Sequence, residues 1–267
     1  MFPKGLIIAF EGLDCSFKET NHKEFVSRLS DAYPSKKNFI ITESFPRYES
    51  KASYFLTKWL NGEYDRNYFI KQHMTYAINS MYSLDRLDFW QSYYETKSKK
   101  MKRMIDLRND ETHCFIFDRY SYSNALYNPR GGYSVLTPNE SDFLFDDTYF
   151  ANPIPDIVVW MRMRNFAVLE DLIKKKAGTD ENENNIDFIR SVWLRSENVL
   201  KYNHINSNSI YIPSPGFVRG TILIPIECLD ENYCIRSKEA IADEIYQKVT
   251  AEADKIIEDK RKENEYE

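Results

Sequence analysis

Glycine is scarce in this chain, 8 among 267 residues, so each one that stands at a turn is informative. There are four cysteines, Cys15, Cys114, Cys228 and Cys234, and none is paired in C-x-x-C spacing, which argues against both a zinc cluster and a disulfide framework. No apolar run approaches the ~20 residues that a bilayer-spanning helix needs. Met1-Phe2-Pro3-Lys4 leads straight into a short apolar strand, with the wrong length and flanks for a secretory leader. Positive charge is not in excess either. The formal net charge is −5, so no whole-molecule field draws the chain onto nucleic acid or an acidic membrane, although a local basic pocket for a small anion stays open. These absences lead us to expect a reduced, cytoplasmic protein whose partners are small molecules.

What is present is ordinary for a globular domain: 42% apolar and 29% charged residues, in a chain long enough to bury a core. Apolar or β-branched runs recur at wide spacing, at Leu6 to Phe10, Phe39 to Thr42, Cys114 to Phe117, Ile157 to Met161 and Ile222 to Ile226. Segments with helical periodicity lie between them, among them Tyr68 to Trp90, Asp187 to Leu200, and Lys238 to Ile257 behind Ser237 as N-cap. Continuous apolar strands alternating with helices predict an α/β domain, a central parallel sheet of five strands with helices on both faces. We expect one domain over residues 1–253. An insertion of about 202–219 precedes the last strand, and a charged C-terminal tail spans 254–267.

The first strand runs into Phe10-Glu11-Gly12-Leu13-Asp14-Cys15-Ser16-Phe17-Lys18-Glu19-Thr20. This nearly spells the phosphate-binding loop G-x-x-x-x-G-K-[ST]. Gly12 and Lys18 have the right separation, but Phe17 takes the second glycine position and Glu19 the hydroxyl position. Such a loop works because backbone N–H groups at a strand-to-helix turn converge on phosphate, with the helix dipole behind them and a lysine beside them. An ordinary strand–helix turn would read the same way, so the loop alone does not decide. Asp118-Arg119 ends the strand Cys114 to Phe117, at the edge where open α/β sheets bind ligands. A carboxylate there can hold Mg²⁺ and a guanidinium can clamp phosphate, though a strand-end ion pair would also fit. Phe45-Pro46-Arg47 falls just past the second strand. Tyr82 and Arg86 stand four apart, on one helical face, where a ring could stack on a base.

Taken in order, F-E-G-L-D…K, F-P-R, D-R, D-R-Y-S-x-S-x-A and P-x-P-D-x-V resemble the thymidylate kinases, over about residues 5–200 and weakly again near Ile226 to Ser237. The resemblance implies the P-loop kinase fold, with a lid at about 174–187, and transfer of a phosphoryl group from ATP to dTMP with Mg²⁺. It implies that Lys18, Asp118 and Arg119 are catalytic. Gly12, Cys15, Ser16, Phe17, Lys18, Glu19, Thr20 and the lid's Lys175 would hold the donor, and Asp118 and Glu19 the metal. Asp14, Phe45, Arg47, Tyr82, Arg86, Arg119, Ser123, Tyr127, Asn128 and the lid's Glu183 would line the acceptor site. A homodimer is expected on the same ground. The departures gather on the donor side. Cys15 and Phe17 replace loop glycines, and Glu19 would cost several kcal/mol beside phosphate unless a metal bridges them or it turns away and Thr20 supplies the hydroxyl. Two readings follow: an active deoxynucleoside monophosphate kinase, or a kinase-like protein that binds a pyrimidine monophosphate without transferring phosphate.

Overall fold

The computed structural model describes residues 1–65, 75–97, 112–127, 152–176, 185–202, 210–212 and 221–265. Its centre is the strand β1 (Leu6–Gly12), every residue of which is buried. β1 pairs in parallel with β3 (Cys114–Asp118) on one side and β4 (Ile157–Arg162) on the other. β2 (Ile40–Ser44) extends the sheet beyond β3 and β6 (Thr221–Glu227) beyond β4, both in parallel. These five strands are the five expected. The short strand β5 (Ile210–Ile212) adds a sixth at the edge, antiparallel to β6, inside the segment expected as an insertion. Phe39 belongs to a 3₁₀ turn, so β2 begins one residue later than the apolar run suggested.

Side chains alternate between the faces of a strand, and here the alternation sorts the helices. Phe10 meets Phe25 and His22 of α1 (Lys18–Ala32), and α1 is tied to α7 (Lys238–Glu265) by Arg28–Asp243 and Lys238–Glu24 ion pairs. The opposite face carries α3 (Thr75–Lys97), α4 (Tyr122–Tyr127) and α6 (Ile186–Tyr202). There Trp90 packs on Phe115 and the indole of Trp160 donates to Ser196. Two further helices, α2 (Tyr54–Leu60) and α5 (Phe166–Lys175), follow β2 and β4 in the chain, and Asn165 caps α5 through its side-chain oxygen. The first part of the helix expected from Tyr68 lies outside the described residues. Ser237 caps α7 as expected, its hydroxyl accepting from the Ala240 N–H.

Residues 254–265 continue α7: the stretch expected as a charged tail is helical beyond Ile257, where the expected helix ended. Their charged faces hide two core contacts, Ile256 and Ile257, and Lys260 donates to the carbonyl of Gly5. Buried positions three or four residues apart, at Val249, Ala253 and Ile256-Ile257, keep the start of this stretch on the domain even though charge dominates its composition. Ile257→Ala should therefore cost about 2–5 kcal/mol in urea unfolding, whereas Glu258→Ala, on the solvent side, should stay within about 0.5 kcal/mol.

Candidate functional site

The site forms where β1 and β3 end. Phe10 lies opposite Asp118 in the parallel register, so the loop after β1 and the Asp118-Arg119 pair emerge side by side. The loop then makes a tight turn. The hydroxyl of Ser16 donates to Leu13 O at 2.7 Å, and the thiol of Cys228 donates to Ser16 O at 3.3 Å. Cys15 (φ 60) and Phe17 (φ 62) both adopt the left-handed conformation. These are the positions where a glycine was expected, and an L-residue there costs roughly 1–2 kcal/mol. The chain keeps the glycine geometry without the glycines, and packing of both side chains against the core helps to hold it. Gly12 has no such latitude. At φ 147, a Cβ would lie 2.6 Å from Met161 O and 2.8 Å from Ser16 Oγ.

Phe17 is the N-cap of α1 and, among the described residues, no side chain caps that end, so the first N–H groups of the helix are left for another acceptor. Lys18 is buried and its Nζ donates to Leu13 O at 3.3 Å and Asp14 Oδ1 at 3.4 Å. Arg119, at φ 61, bonds the same Asp14 oxygen, while Tyr127 donates its hydroxyl to Asp14 Oδ2 at 2.8 Å. Burial alone would raise the Asp14 carboxyl. Arg119, Lys18 and the Tyr127 hydroxyl outweigh burial, Lys176 adds further positive charge, and together they hold it well below the usual carboxylate range. Burial and the Arg119 charge lower the Lys18 ammonium. Asp118 is 9% exposed and its Oδ1 has no hydrogen-bond partner among the described residues.

Other expected residues are placed differently from one another. Glu19 and Thr20 are exposed on α1, and Glu19 pairs with Lys23 at 2.5 Å. Lys175 points away to Asp171 and is 70% exposed; it is Lys176, one residue on, that acts on Asp14. Arg47 is pinned by Asp85 (Nε to Oδ1, 3.0 Å), by Asp88 (2.5 Å) and by Ser50. Among the described residues its Nη1 has no acceptor. Arg86 is 1% exposed, donates to Ser83 and lies over the Tyr120 ring at 5.3 Å. Tyr82 borders a small apolar cluster of Leu56, Trp59, Leu60 and Ile78. Phe45 is buried among Phe89, Phe117 and Tyr120, a core position. Asn128, Glu183 and most of the expected lid lie outside the described residues.

Two residues lie in the quoted segments F-E-G-L-D and D-R but were given no role. Asp85 is the carboxylate that orients Arg47. Glu11 is fully buried in β1. Its Oε1 accepts from the N–H groups of Tyr120 (2.8 Å) and Tyr122 (3.0 Å), and its Oε2 from the Ser123 hydroxyl (2.5 Å). A glutamate inside an otherwise apolar strand was the available signal. Among the described residues no group of three or more His, Cys, Asp or Glu side chains could form a metal cage by itself.

No protein-family model and no curated protein matches the chain. Among solved structures it is similar to a thymidylate kinase from Candida albicans, with a TM-score of 0.56 and 17% identity over 93% of this chain and 92% of that one. It is similar also to the thymidylate kinase of Ehrlichia chaffeensis, with a TM-score of 0.55 and 15% identity over 93% and 100%. At such identities the likeness establishes the fold: this is a P-loop kinase fold of the thymidylate kinase type, whose sheet holds the five parallel strands expected and β5 antiparallel at its edge.

Two outcomes follow from the loop and its helix. Gly12→Ala should cost about 1–3 kcal/mol, the usual range for overpacking. Phe17→Gly should change stability by less than about 1 kcal/mol, since relief of the left-handed cost offsets the lost ring contact. His22 is buried with Nε2 3.2 Å from Ile116 O, and burial lowers its pKa from the ordinary 6.5 despite that carbonyl and Asp118. The unfolded chain thus takes up a proton near pH 6.5 that the folded chain still refuses. Stability should be fully present above that pH and decline as pH falls toward the folded value, a slope that His22→Gln removes in melts across pH 5–7 (about the window set by an ordinary imidazole).

Proposed function

We propose that the chain is a deoxynucleoside monophosphate kinase acting on a pyrimidine substrate, dTMP first among them, with ATP and Mg²⁺. The observation that carries this reading is the junction at Asp14, where one carboxylate joins the loop lysine, Lys18, to the strand-end arginine, Arg119. Cations from two elements converge beside an uncapped helix N-terminus, a combination suited to phosphate oxygens. The residues fit a magnesium nucleotide: the orphaned Asp118 Oδ1 offers an oxygen ligand, and a metal that keeps phosphates and waters needs few protein ligands. ATP·Mg²⁺ would supply the transferable phosphoryl group and neutralise charge at its oxygens.

In this reading Lys18 swings from Leu13 O onto donor phosphates. Arg119 leaves part of its bonding to Asp14 for the transferring group, and Asp14 then faces the acceptor sugar. Arg47, oriented by Asp85 and with Nη1 uncommitted, takes the acceptor phosphate, while Tyr82 stacks on the base and Arg86 backs it. The Glu19–Lys23 pair supports the alternative in which Glu19 turns away and Thr20 offers the hydroxyl. Catalysis rests on positioning and charge neutralisation rather than covalent chemistry. Lys18 bonded back onto Leu13 O and Asp14 favours a second reading, in which the monophosphate binds but no phosphate moves.

ATP binding by calorimetry with and without Mg²⁺, beside a coupled assay with dTMP and dUMP, separates the two. The kinase reading expects magnesium-dependent ATP binding, loss of turnover but retained monophosphate binding in Lys18→Ala, and equal or higher activity in Glu19→Thr. Absence of ATP binding under every condition would sink it. On the acceptor side, Tyr82→Ala should weaken monophosphate binding about 10- to 100-fold, since base stacking contributes ~1–3 kcal/mol. Unchanged affinity would remove Tyr82 from the site.

A further inference from the structure

We propose that Glu11 is a positioning residue that sets the Arg119 guanidinium. The turn after β3 is bound to two successive residues of β1. The Arg119 N–H donates to Phe10 O at 2.8 Å, the N–H groups of Tyr120 and Tyr122 donate to Glu11 Oε1, and the Ser123 hydroxyl donates to Glu11 Oε2. Arg119 sits inside this clamp in the left-handed conformation, which an arginine does not adopt unless its neighbours are held. The hydroxyl that Glu11 orients is also an acceptor for Arg119 Nη1 at 3.4 Å, and Nη2 of the same guanidinium is bonded to Asp14. Carboxylate, hydroxyl and guanidinium thus form one chain from the middle of the sheet to the site.

A carboxylate with no solvent exposure is costly to bury. Desolvation raises its pKa, and the Ser123 hydroxyl, the Arg119 charge and the backbone N–H groups work against that rise. Holding β1 in the sheet needs no such group; any apolar side chain would serve. What only a two-oxygen acceptor provides here is simultaneous purchase on two backbone N–H groups and a side-chain hydroxyl. Glutamine retains the first oxygen but replaces the second by a donor, which turns the Ser123 hydroxyl away from its present partner.

The kinetic arm of the test rests on the phosphoryl-transfer reading, and the spectroscopic arm does not. In ¹⁵N-labelled protein, the guanidinium resonance of Arg119, assigned by its absence in Arg119→Lys, should shift in Glu11→Gln while circular dichroism stays that of a folded chain. kcat should fall about 10- to 100-fold, the usual scale for a misplaced group, with the monophosphate KM changed much less. In the Arg119→Lys background the same Glu11→Gln change should alter kcat by no more than about twofold, because residues acting as one unit are not additive. An unmoved Arg119 resonance, or a Glu11→Gln effect equally large in both backgrounds, would overturn the assignment. Should Glu11→Gln not fold, Ser123→Ala breaks one link of the chain and must shift the same resonance. If the wild type shows no turnover, the kinase reading fails and the resonance still decides the role of Glu11.

Discussion

Everything at the site hangs on the parallel pairing of β1 with β3. Because Phe10 stands opposite Asp118, the phosphate-type loop and the Asp118-Arg119 pair leave the sheet at one level, and their charges meet without any long loop to bring them together. The pairing is apolar along its length, Leu6 to Ala9 against Cys114 to Phe117, all buried. Dense interior packing makes such a register hard to shift, since a slip would send every side chain to the wrong face. Polar groups enter only at the last residues, where the strands run out of core.

The polar groups at that edge work as a balance of charge. Asp14 faces two cations of its own, and neither Lys18 nor Arg119 is left without a counterion. The same economy recurs at Arg47, which Asp85 and Asp88 hold. Buried or half-buried charges are tolerable only when paired, so a chain that carries this many cations at one sheet edge must carry matching carboxylates. A phosphate entering such a site competes with carboxylates already in place, which favours ligands of higher charge over singly charged anions.

The legible part of the molecule was the part governed by pattern. Strand runs and the Ser237 cap were visible because burial on both sheet faces and an orphaned helix N-terminus leave marks in the residue types themselves. The loop was visible through Gly12 and Lys18, and the carboxyl end of β3 through Asp118-Arg119. What stayed hidden was whatever depends on a third partner. Glu11 looks like one charge in a strand until the turn at 120–123 is folded against it. The choice between Lys175 and Lys176 depends on where α5 ends, a matter of one residue in three identical ones. β5 is a three-residue strand whose pairing comes from the edge it finds, not from a run of its own. The charge count of 254–265 gave no sign that the helix runs on past Ile257, since Ile256 and Ile257 are two buried positions among the nine described side chains there.

Among the described residues the apolar side chains do not all belong to one core. Leu56, Trp59, Leu60 and Ile78 form a separate cluster beneath Tyr82, apart from the large one built around the sheet. Local stability follows the number of contacts that must break together, and a satellite of four buried side chains releases far fewer than the sheet. The region around α2 can therefore exchange its amide hydrogens by a local opening that leaves β1 and β3 protected. The charged junction at Asp14 and the ring of Tyr82 therefore sit on ground of unequal firmness: the first adjoins the fully buried strand β1, the second borders a small satellite cluster.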